Sequence, residues 1–287
     1  MAKLQIDLIC KARKPLILAV FFLLPVITNA QVFIQIASQR SKASGNFQKI
    51  CPSESDPVAT RVLKEYGSLF IAASTIQVPA KCIFEDEADV SRFQTSIDMS
   101  SSKLGNAEIS LQSAAMSDLL AAIQEASENR SRITPLDGAI AGTRSYADTV
   151  RLWNSRFYRA LNYWEKKGRI AKSDADNARK LAPFSQVPQV VAWEAKGLYF
   201  STNFSRSIFS SVAPPGTSQH LSGLAFDVAE YANSRVRAIL NKHGWFQTVA
   251  ADEPHFTYLG FPESELPKLG LILVTKNGYK FWVPAIK

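Results

Sequence analysis

The chain has 287 residues, of which 46% are hydrophobic and 20% charged, and its formal net charge is +8. This length allows one sizeable core with an added helical part. The sequence shows no internal repeat or low-complexity block, and its 33 basic residues form no dense cluster, which argues against a nucleic-acid-binding protein.

Residues 1–30 have the order of a secretory signal peptide. Basic residues come first, an apolar run over 16–27 follows, and the segment ends in the small residue Ala30. About twelve apolar residues are too few to span a bilayer comfortably. We therefore expect cleavage after Ala30 and no stable membrane span afterwards. Cleavage removes four basic residues and Asp7, so the charge falls from +8 to +5 over the remaining 257 residues (287 − 30).

These features predict an exported protein of the periplasm or cell envelope, where a moderately basic chain suits a polyanionic surface. Cys10 leaves with the signal peptide, so Cys51 and Cys82 remain as a pair. In an oxidising compartment they could form one disulfide, and both could also be free buried thiols. Neither belongs to a C-x-x-C motif, which makes a metal or redox role less favoured.

Residues 31–105 are interpreted as an N-terminal exported region of unknown role, which begins with a linker over 31–45. The pattern then predicts, in order, a helix over 56–66, a strand over 68–73, a short helix over 87–97 and a long helix over 106–128. The last of these has Ile109, Leu119 and Ile123 among the apolar residues of one face.

A turn over 133–138 leads to Gly142-Thr143-Arg144-Ser145-Tyr146, and a helix with an apolar side follows. Residues 158–197 are rich in aromatic and helix-forming residues, which indicates a helical insertion that packs on the rest of the domain. Arg144 and Arg206 are both candidate site residues. A guanidinium can bind a carboxylate or stabilise a developing oxyanion.

The most informative stretch runs from Ala213 to Tyr258. It contains His220 in a Gly/Pro/Ser-rich turn, Asp227 at the end of a short apolar strand, and His255 in Asp-Glu-Pro-His-Phe. A buried carboxylate such as Asp227 needs a partner. Two imidazoles and one carboxylate are a common catalytic zinc set, because three protein ligands leave a fourth position for a water. The spacing therefore predicts a single Zn²⁺ held by these three residues.

Two carboxylates stand close to the last of these candidate ligands, and either could serve as a general base. In an extended segment, positions two apart share a face, which favours Glu253 with His255. Pro254 disturbs ideal strand geometry, so Asp252 stays open as the base.

The residues Ser218-x-His220-x-x-Gly223-x-Ala225-x-Asp227, with an acid shortly before a later His, resemble the VanY-type zinc D-alanyl-D-alanine carboxypeptidases and related phage endolysin peptidases. Gly142-Thr143-Arg144-Ser145-Tyr146 is similar to the SGYRSY segment of that family. The chain departs from the family pattern at Thr149, where relatives often have Gln, and at Glu253 and Pro254.

This resemblance implies zinc ligation by His220, Asp227 and His255. It favours Asp252 as catalytic base over its rival Glu253, and Arg144 over its rival Arg206. Ser218 matches a family serine that helps to bind the terminal carboxylate of the substrate. It assigns residues 106–287 to a VanY-like metallopeptidase domain with the helical insertion at about 158–197.

We expect an α+β fold in which a small antiparallel sheet carries the zinc site, with a helical N-terminal region and the helical insertion around it. The resemblance implies a zinc peptidase acting on peptidoglycan stem peptides at a D-amino-acid bond, foremost a D-alanyl-D-alanine carboxypeptidase. Two alternatives stay open: an endopeptidase of the same family, and a non-catalytic cell-wall binding or scaffold protein with a structural zinc. Nothing in the sequence fixes the oligomeric state.

Overall fold

The computed structural model describes residues 28–41, 46–250 and 252–286, and small antiparallel sheets alternate there with helices. The helices are α1 (Asn29–Arg40), α2 (Pro57–Tyr66), α3 (Glu87–Ser96), α4 (Ser113–Glu128), α5 (Tyr146–Lys166), α6 (Lys172–Lys180), α7 (Val187–Glu194) and α8 (Ser234–Lys242). The strands are β1 (Met99–Leu104), β2 (Ala107–Gln112), β3 (Ala225–Asp227), β4 (Trp245–Phe246), β5 (His255–Tyr258), β6 (Leu271–Lys276) and β7 (Tyr279–Pro284). This arrangement confirms the α+β fold class.

The central sheet has three strands in the order β3-β5-β4, and both neighbouring pairs are antiparallel. Phe226, Trp245 and Phe256 are fully buried on its strands, so the sheet lies within the larger hydrophobic core. Two hairpins, β1-β2 and β6-β7, form separate sheets. Short strands buried in this way hold their residues in fixed positions, which a site on the sheet requires.

The expected linker over 31–45 is wrong where the structure describes it, because α1 covers Asn29–Arg40. Thr28 caps the helix: its side chain accepts a hydrogen bond from the Gln31 backbone, and the Gln31 side chain accepts one from the Thr28 backbone. Phe33 and Ala37, one turn apart, are fully buried in the core. A capping box followed by an i, i+4 apolar pair is a helix signal that the polar composition obscured.

Two further expectations are corrected. The segment predicted as a strand over 68–73 is a 3₁₀ helix, Gly67–Ile71. The helix predicted over 106–128 divides into strand β2 and helix α4. Ile109 and Leu111 are both fully buried two positions apart, which is strand spacing, and the period changes at α4. The boundary expected near residue 106 falls in the turn of the β1-β2 hairpin.

A second hydrophobic core belongs mainly to helices α5, α6 and α7 and the chain that follows them to residue 213. Stacked aromatic rings form its centre: the Phe157 ring lies 6.3 Å from Trp153 and 6.1 Å from Phe200, measured between centroids. Helix α2 adds Val58 and Val62 to the same core. The insertion expected over 158–197 is therefore helical, but its first helix already begins at Tyr146.

Cys51 and Cys82 form a disulfide with their Cα atoms 5.2 Å apart, which closes a loop with a sequence separation of 31. The predicted signal peptide lies outside the described residues as far as residue 27, and the expected cleavage point after Ala30 falls in the first turn of α1. Within the described ranges, the helices are all too short or too polar to cross a bilayer.

Candidate metal centre

The three residues predicted as metal ligands come from the central sheet and from the turn before it. Asp227 ends β3, His255 begins β5, and the antiparallel register places the two directly opposite each other. His220 lies in a 3₁₀ helix, Gln219–Ser222, that precedes β3. Gly223 ends this helix with a φ of 67°, and a Cβ there would approach the β1-β2 hairpin to 3.1 Å. Glycine therefore permits the turn that brings His220 over the sheet.

One ligand atom from each of these side chains lies within 4.8 Å of the other two. His220 Nε2 is 3.1 Å from His255 Nδ1 and 3.3 Å from Asp227 Oδ1, and His255 Nδ1 is 3.2 Å from the same Asp227 oxygen. Both imidazoles are buried, with 1% of His220 and 5% of His255 exposed. The structure therefore brings the three predicted ligands together around one point.

Hydrogen bonds from the outer nitrogens fix the tautomer of each imidazole. His220 Nδ1 donates to the Gly142 carbonyl at 2.7 Å, since a carbonyl oxygen can only accept. His255 Nε2 lies 2.7 Å from Gln219 Oε1. The amide of Gln219 can be assigned because its Nε2 donates to the Tyr66 carbonyl at 2.8 Å. His255 Nε2 is therefore also a donor.

With their protons on the outer nitrogens, His220 Nε2 and His255 Nδ1 direct lone pairs at each other and at a carboxylate oxygen. Three acceptors about 3.1–3.3 Å apart repel one another unless a cation, a proton or a metal ion, is shared between them. Outer hydrogen bonds of this kind are typical of histidines that bind metals. The donor set of two imidazoles and one carboxylate fits a metal ion such as zinc.

Arg144 supports the carboxylate of this group. Its Nη2 donates to Asp227 Oδ2, and its Nε donates to the Ile140 carbonyl at 2.7 Å. The two oxygens of Asp227 thus have separate partners, because Oδ1 faces the imidazoles and Oδ2 faces the guanidinium. This arrangement fixes the orientation of the carboxylate.

The protonation states of His220 and Asp227 at neutral pH are those that a metal ion requires of its ligands. Burial and the Arg144 charge together lower the pKa of His220 to about 4, although Asp227 opposes the shift. Burial alone would raise the pKa of Asp227, but the neighbouring imidazoles and the Arg144 charge hold it well below its usual value. At neutral pH the set therefore contains a neutral His220 and an ionised Asp227.

Asp252 lines the same cavity as the three ligands. Its backbone carbonyl accepts a hydrogen bond from the His255 N–H at 3.2 Å, which ties it to the start of β5. Burial raises the pKa of the Asp252 carboxyl to about 6, against the opposing effect of His255. A carboxyl in such a position can both accept and return a proton near neutral pH.

The other candidates differ in position. Glu253 accepts a hydrogen bond from Asn277 Nδ2 at 2.9 Å and stands outside the cavity lining. Arg206 is exposed in a turn closed by Ser201, also away from the cavity. Ser218 lines the cavity beside the ligands. The geometry thus places Asp252, Arg144 and Ser218 at the site and the two rival residues outside it.

The cavity has a volume of about 170 Å³. Among the lining residues that were not predicted as part of the site are Tyr66, Arg156 and Gln219. Gln219 stands inside the sequence motif, and Arg156 is on the helix that follows Arg144, but Tyr66 is distant in sequence and gave no signal. A larger cavity of about 840 Å³, lined by residues from α1, α3 and the start of α4, contains none of the three ligands.

No family model matches this chain, and no curated protein matches it. Among solved structures it is similar to one described as "Structure of the LdcB LD-carboxypeptidase reveals the molecular basis of peptidoglycan recognition". The identity is 18%, the match covers 61% of this chain and 92% of that chain, and the TM-score is 0.30. A match at this TM-score assigns neither a fold nor a function to this chain.

Proposed function

We propose that this chain is an exported zinc peptidase that hydrolyses peptidoglycan stem peptides at a bond involving a D-amino acid, with D-alanyl-D-alanine carboxypeptidase as the specific activity. The observation that supports it most is the convergence of His220 Nε2, His255 Nδ1 and Asp227 Oδ1 within 4.8 Å beside a cavity. The resemblance of the motif around these residues to VanY-type enzymes supports peptidoglycan stem peptides as the substrate class. The signal-peptide pattern of residues 1–30 supports export.

The composition of the group favours catalysis over a structural role. Among the described residues, the metal-binding group has three members, and structural zinc sites generally have four protein ligands. Asp252 lines the cavity without belonging to the group. A three-ligand set open to a cavity is the arrangement of a catalytic site, which disfavours the scaffold alternative.

A bound zinc would supply Lewis-acid polarisation of the scissile carbonyl. Asp252 takes the proton from the attacking water and later delivers it to the leaving amine. Its burial suits both steps, because a pKa of about 6 is close to neutral pH. Arg144 holds the Asp227 carboxylate in place, and its guanidinium borders the cavity where charge develops on the carbonyl oxygen. The Ser218 hydroxyl is available to hydrogen-bond the substrate.

The test measures zinc content per chain together with release of D-alanine from a muropeptide that carries a pentapeptide. We expect one zinc per chain, release of D-alanine, and loss of release after the metal is removed with a chelator and its return on adding zinc. If zinc is bound and no stem-peptide bond is cut, the enzyme proposal is wrong and the scaffold alternative takes its place. Release of internal fragments without D-alanine would instead indicate an endopeptidase.

Two matched variants test the choice of base. Asp252→Asn should lower kcat by about 10²–10⁴ while zinc content stays the same, since the amide cannot accept the proton. Glu253→Gln should leave kcat unchanged, because the Glu253 carboxylate lies outside the cavity. The opposite pattern would assign the base to Glu253.

A further inference from the structure

The cavity contains a second guanidinium, which belongs to Arg156 on helix α5. Arg156 Nε donates to Ser211 Oγ at 3.1 Å and its Nη1 donates to Ser155 Oγ at 2.8 Å. Both partners are neutral hydroxyls. In the part of the chain that the structure describes, Arg156 takes part in no ion pair.

The two arginines of the cavity thus differ in what they can offer a ligand. Arg144 already donates to the Asp227 carboxylate and to a backbone carbonyl. Arg156 is half-buried with no carboxylate to compensate its charge. A guanidinium always carries its charge, and its planar fork of N–H groups matches the two oxygens of a carboxylate. Partial removal from water strengthens that interaction.

Neighbouring residues line this part of the cavity mainly with small and apolar side chains. Ser211, Val212 and Ala213 line it beside Arg156, and Leu152 lines it from one turn earlier on α5. The Thr149 hydroxyl is already occupied, since it donates to the Tyr146 carbonyl at 2.7 Å and accepts from the Gly216 N–H at 3.3 Å. Arg156 is therefore the cation of this part of the cavity whose charge, among the described residues, has no anionic partner, and its Nη2 makes no hydrogen bond there.

We propose that Arg156 binds a carboxylate of the peptide substrate and so determines specificity for peptides that carry this carboxylate in free form. This inference rests on the proposed peptidase function and extends it from the bond that is cut to the group that is recognised. The carboxylate could be the C-terminus of the peptide or a free carboxylate within the stem peptide. The chemistry is the same in both cases, and substrates can separate them.

The experiment measures binding by calorimetry in the zinc-loaded Asp252→Asn background, which holds peptide without rapid turnover. The probes are a D-alanyl-D-alanine-terminated stem pentapeptide, the same peptide as its C-terminal amide, and the peptide with its internal carboxylates amidated. We expect the unmodified peptide to bind about ten- to a hundredfold more tightly than one of the two amidated forms, which identifies the recognised carboxylate.

Adding Arg156→Ala should remove that preference by weakening only the peptides that keep the recognised carboxylate. Arg156→Lys should restore part of it because the charge returns without the fork. Arg159→Ala is the matched control. Arg159 is exposed on the same helix, and its guanidinium lies over the Phe204 ring at 5.5 Å outside the cavity. It should change none of the three affinities.

Several outcomes overturn the proposal. Equal binding of all three peptides to the background protein would do so without any arginine variant. Equal weakening of all three peptides by Arg156→Ala would show that the residue only ties helix α5 to Ser211. Carboxylate-dependent binding without D-alanine release from the wild-type protein would leave the Arg156 assignment standing and reject the peptidase. D-alanine release by the wild-type protein, together with peptide binding that does not depend on Arg156, would support the peptidase and reject the role of Arg156.

Discussion

The region around the central sheet and the region of helices α5–α7 are both buried, but different interactions hold them. Around the sheet, Gln219, Thr248, His255 and Thr257 are buried polar residues that hydrogen-bond to one another. In the helical region the centre is aromatic, and its rings pack by stacking. Hydrogen bonds are directional and aromatic packing is less so. The sheet region can therefore orient the metal-binding side chains, whereas the helical region mainly encloses one side of the cavity.

A substitution in the aromatic core of helices α5–α7 should lower the stability of the protein without altering its affinity for the metal. Phe157 is fully buried and stacks on Trp153 and Phe200. Phe157→Ala should lower the free energy of unfolding by about 3–5 kcal/mol, since it removes a large apolar side chain and leaves a cavity. Urea unfolding of the metal-free protein measures this loss, and zinc titration of the folded protein should give an unchanged Kd.

The control for this variant is Tyr158→Ala, because Tyr158 is the next residue and is 37% exposed. Its effect on the free energy of unfolding should be much smaller. Phe157→Leu keeps more of the volume and serves where the alanine variant does not fold. A folded variant whose zinc affinity falls together with its stability would show that the two regions are not separable.

The converse prediction concerns Gln219. Gln219→Ala should weaken zinc binding by about 10–100-fold, because His255 loses the hydrogen bond that fixes its tautomer. A competition titration with a chelating indicator measures the Kd, independently of any catalytic activity. The fold should persist at a cost of about 1–3 kcal/mol, because the variant leaves buried polar partners of Gln219 unsatisfied but removes no apolar side chain from either core.

Gln186→Ala is the matched control for Gln219→Ala. Gln186 is equally buried but lies in the helical region, where its Oε1 accepts a hydrogen bond from Trp153 Nε1 at 2.8 Å. Its removal leaves a buried donor unsatisfied, which costs about 1–3 kcal/mol of stability. Its zinc Kd should not change. Equal effects of the two variants on zinc affinity would contradict the division between the regions.

The two regions also differ in how much the sequence revealed. The spacing of His220, Asp227 and His255 predicted a shared metal, and the structure brings these atoms within 4.8 Å. That inference was possible because β3 and β5 are short, their register is fixed by burial, and their ligands are of types that rarely meet by accident. Helices α2 and α3 were also predicted close to their bounds, since Asp56 and Asp86 cap them.

What the sequence did not reveal depends on contacts that are distant along the chain. Gln219 stands between two motif residues, but its role requires the Tyr66 carbonyl, which orients its amide. The position of Arg156 in the cavity follows from the packing of α5 on Ser211. Strand β2 was interpreted as the start of α4 because one apolar run contained both periods. Propensity is a weak guide where tertiary packing decides the structure.

The buried carboxyl of Glu194 tests whether the helical region satisfies polar groups less completely than the sheet region does. Glu194 Oε1 accepts backbone hydrogen bonds from Phe200 at 3.2 Å and Ile208 at 2.7 Å. Its Oε2 has no hydrogen-bond partner among the described residues and lies 3.6 Å from a guanidinium nitrogen of Arg61. Burial raises the pKa of the Glu194 carboxyl above 4.5, although hydrogen bonds and Arg61 oppose the shift. The folded state therefore binds this proton more tightly than the unfolded state does. Stability falls as pH rises from about 4.5 through the raised pKa.

Glu194→Gln should remove this dependence, because a neutral amide keeps an acceptor for the same N–H groups. Between pH 4.5 and pH 7, the wild type should lose stability relative to the variant when both are unfolded in urea without metal. Asp176→Asn is the control: the Lys172 hydrogen bond lowers the pKa of Asp176, so this carboxylate stays largely ionised in both states across that range. A constant difference between wild type and Glu194→Gln at the two pH values would mean that hydrogen bonds compensate the buried charge fully. The helical region would then orient polar groups as well as the sheet region does.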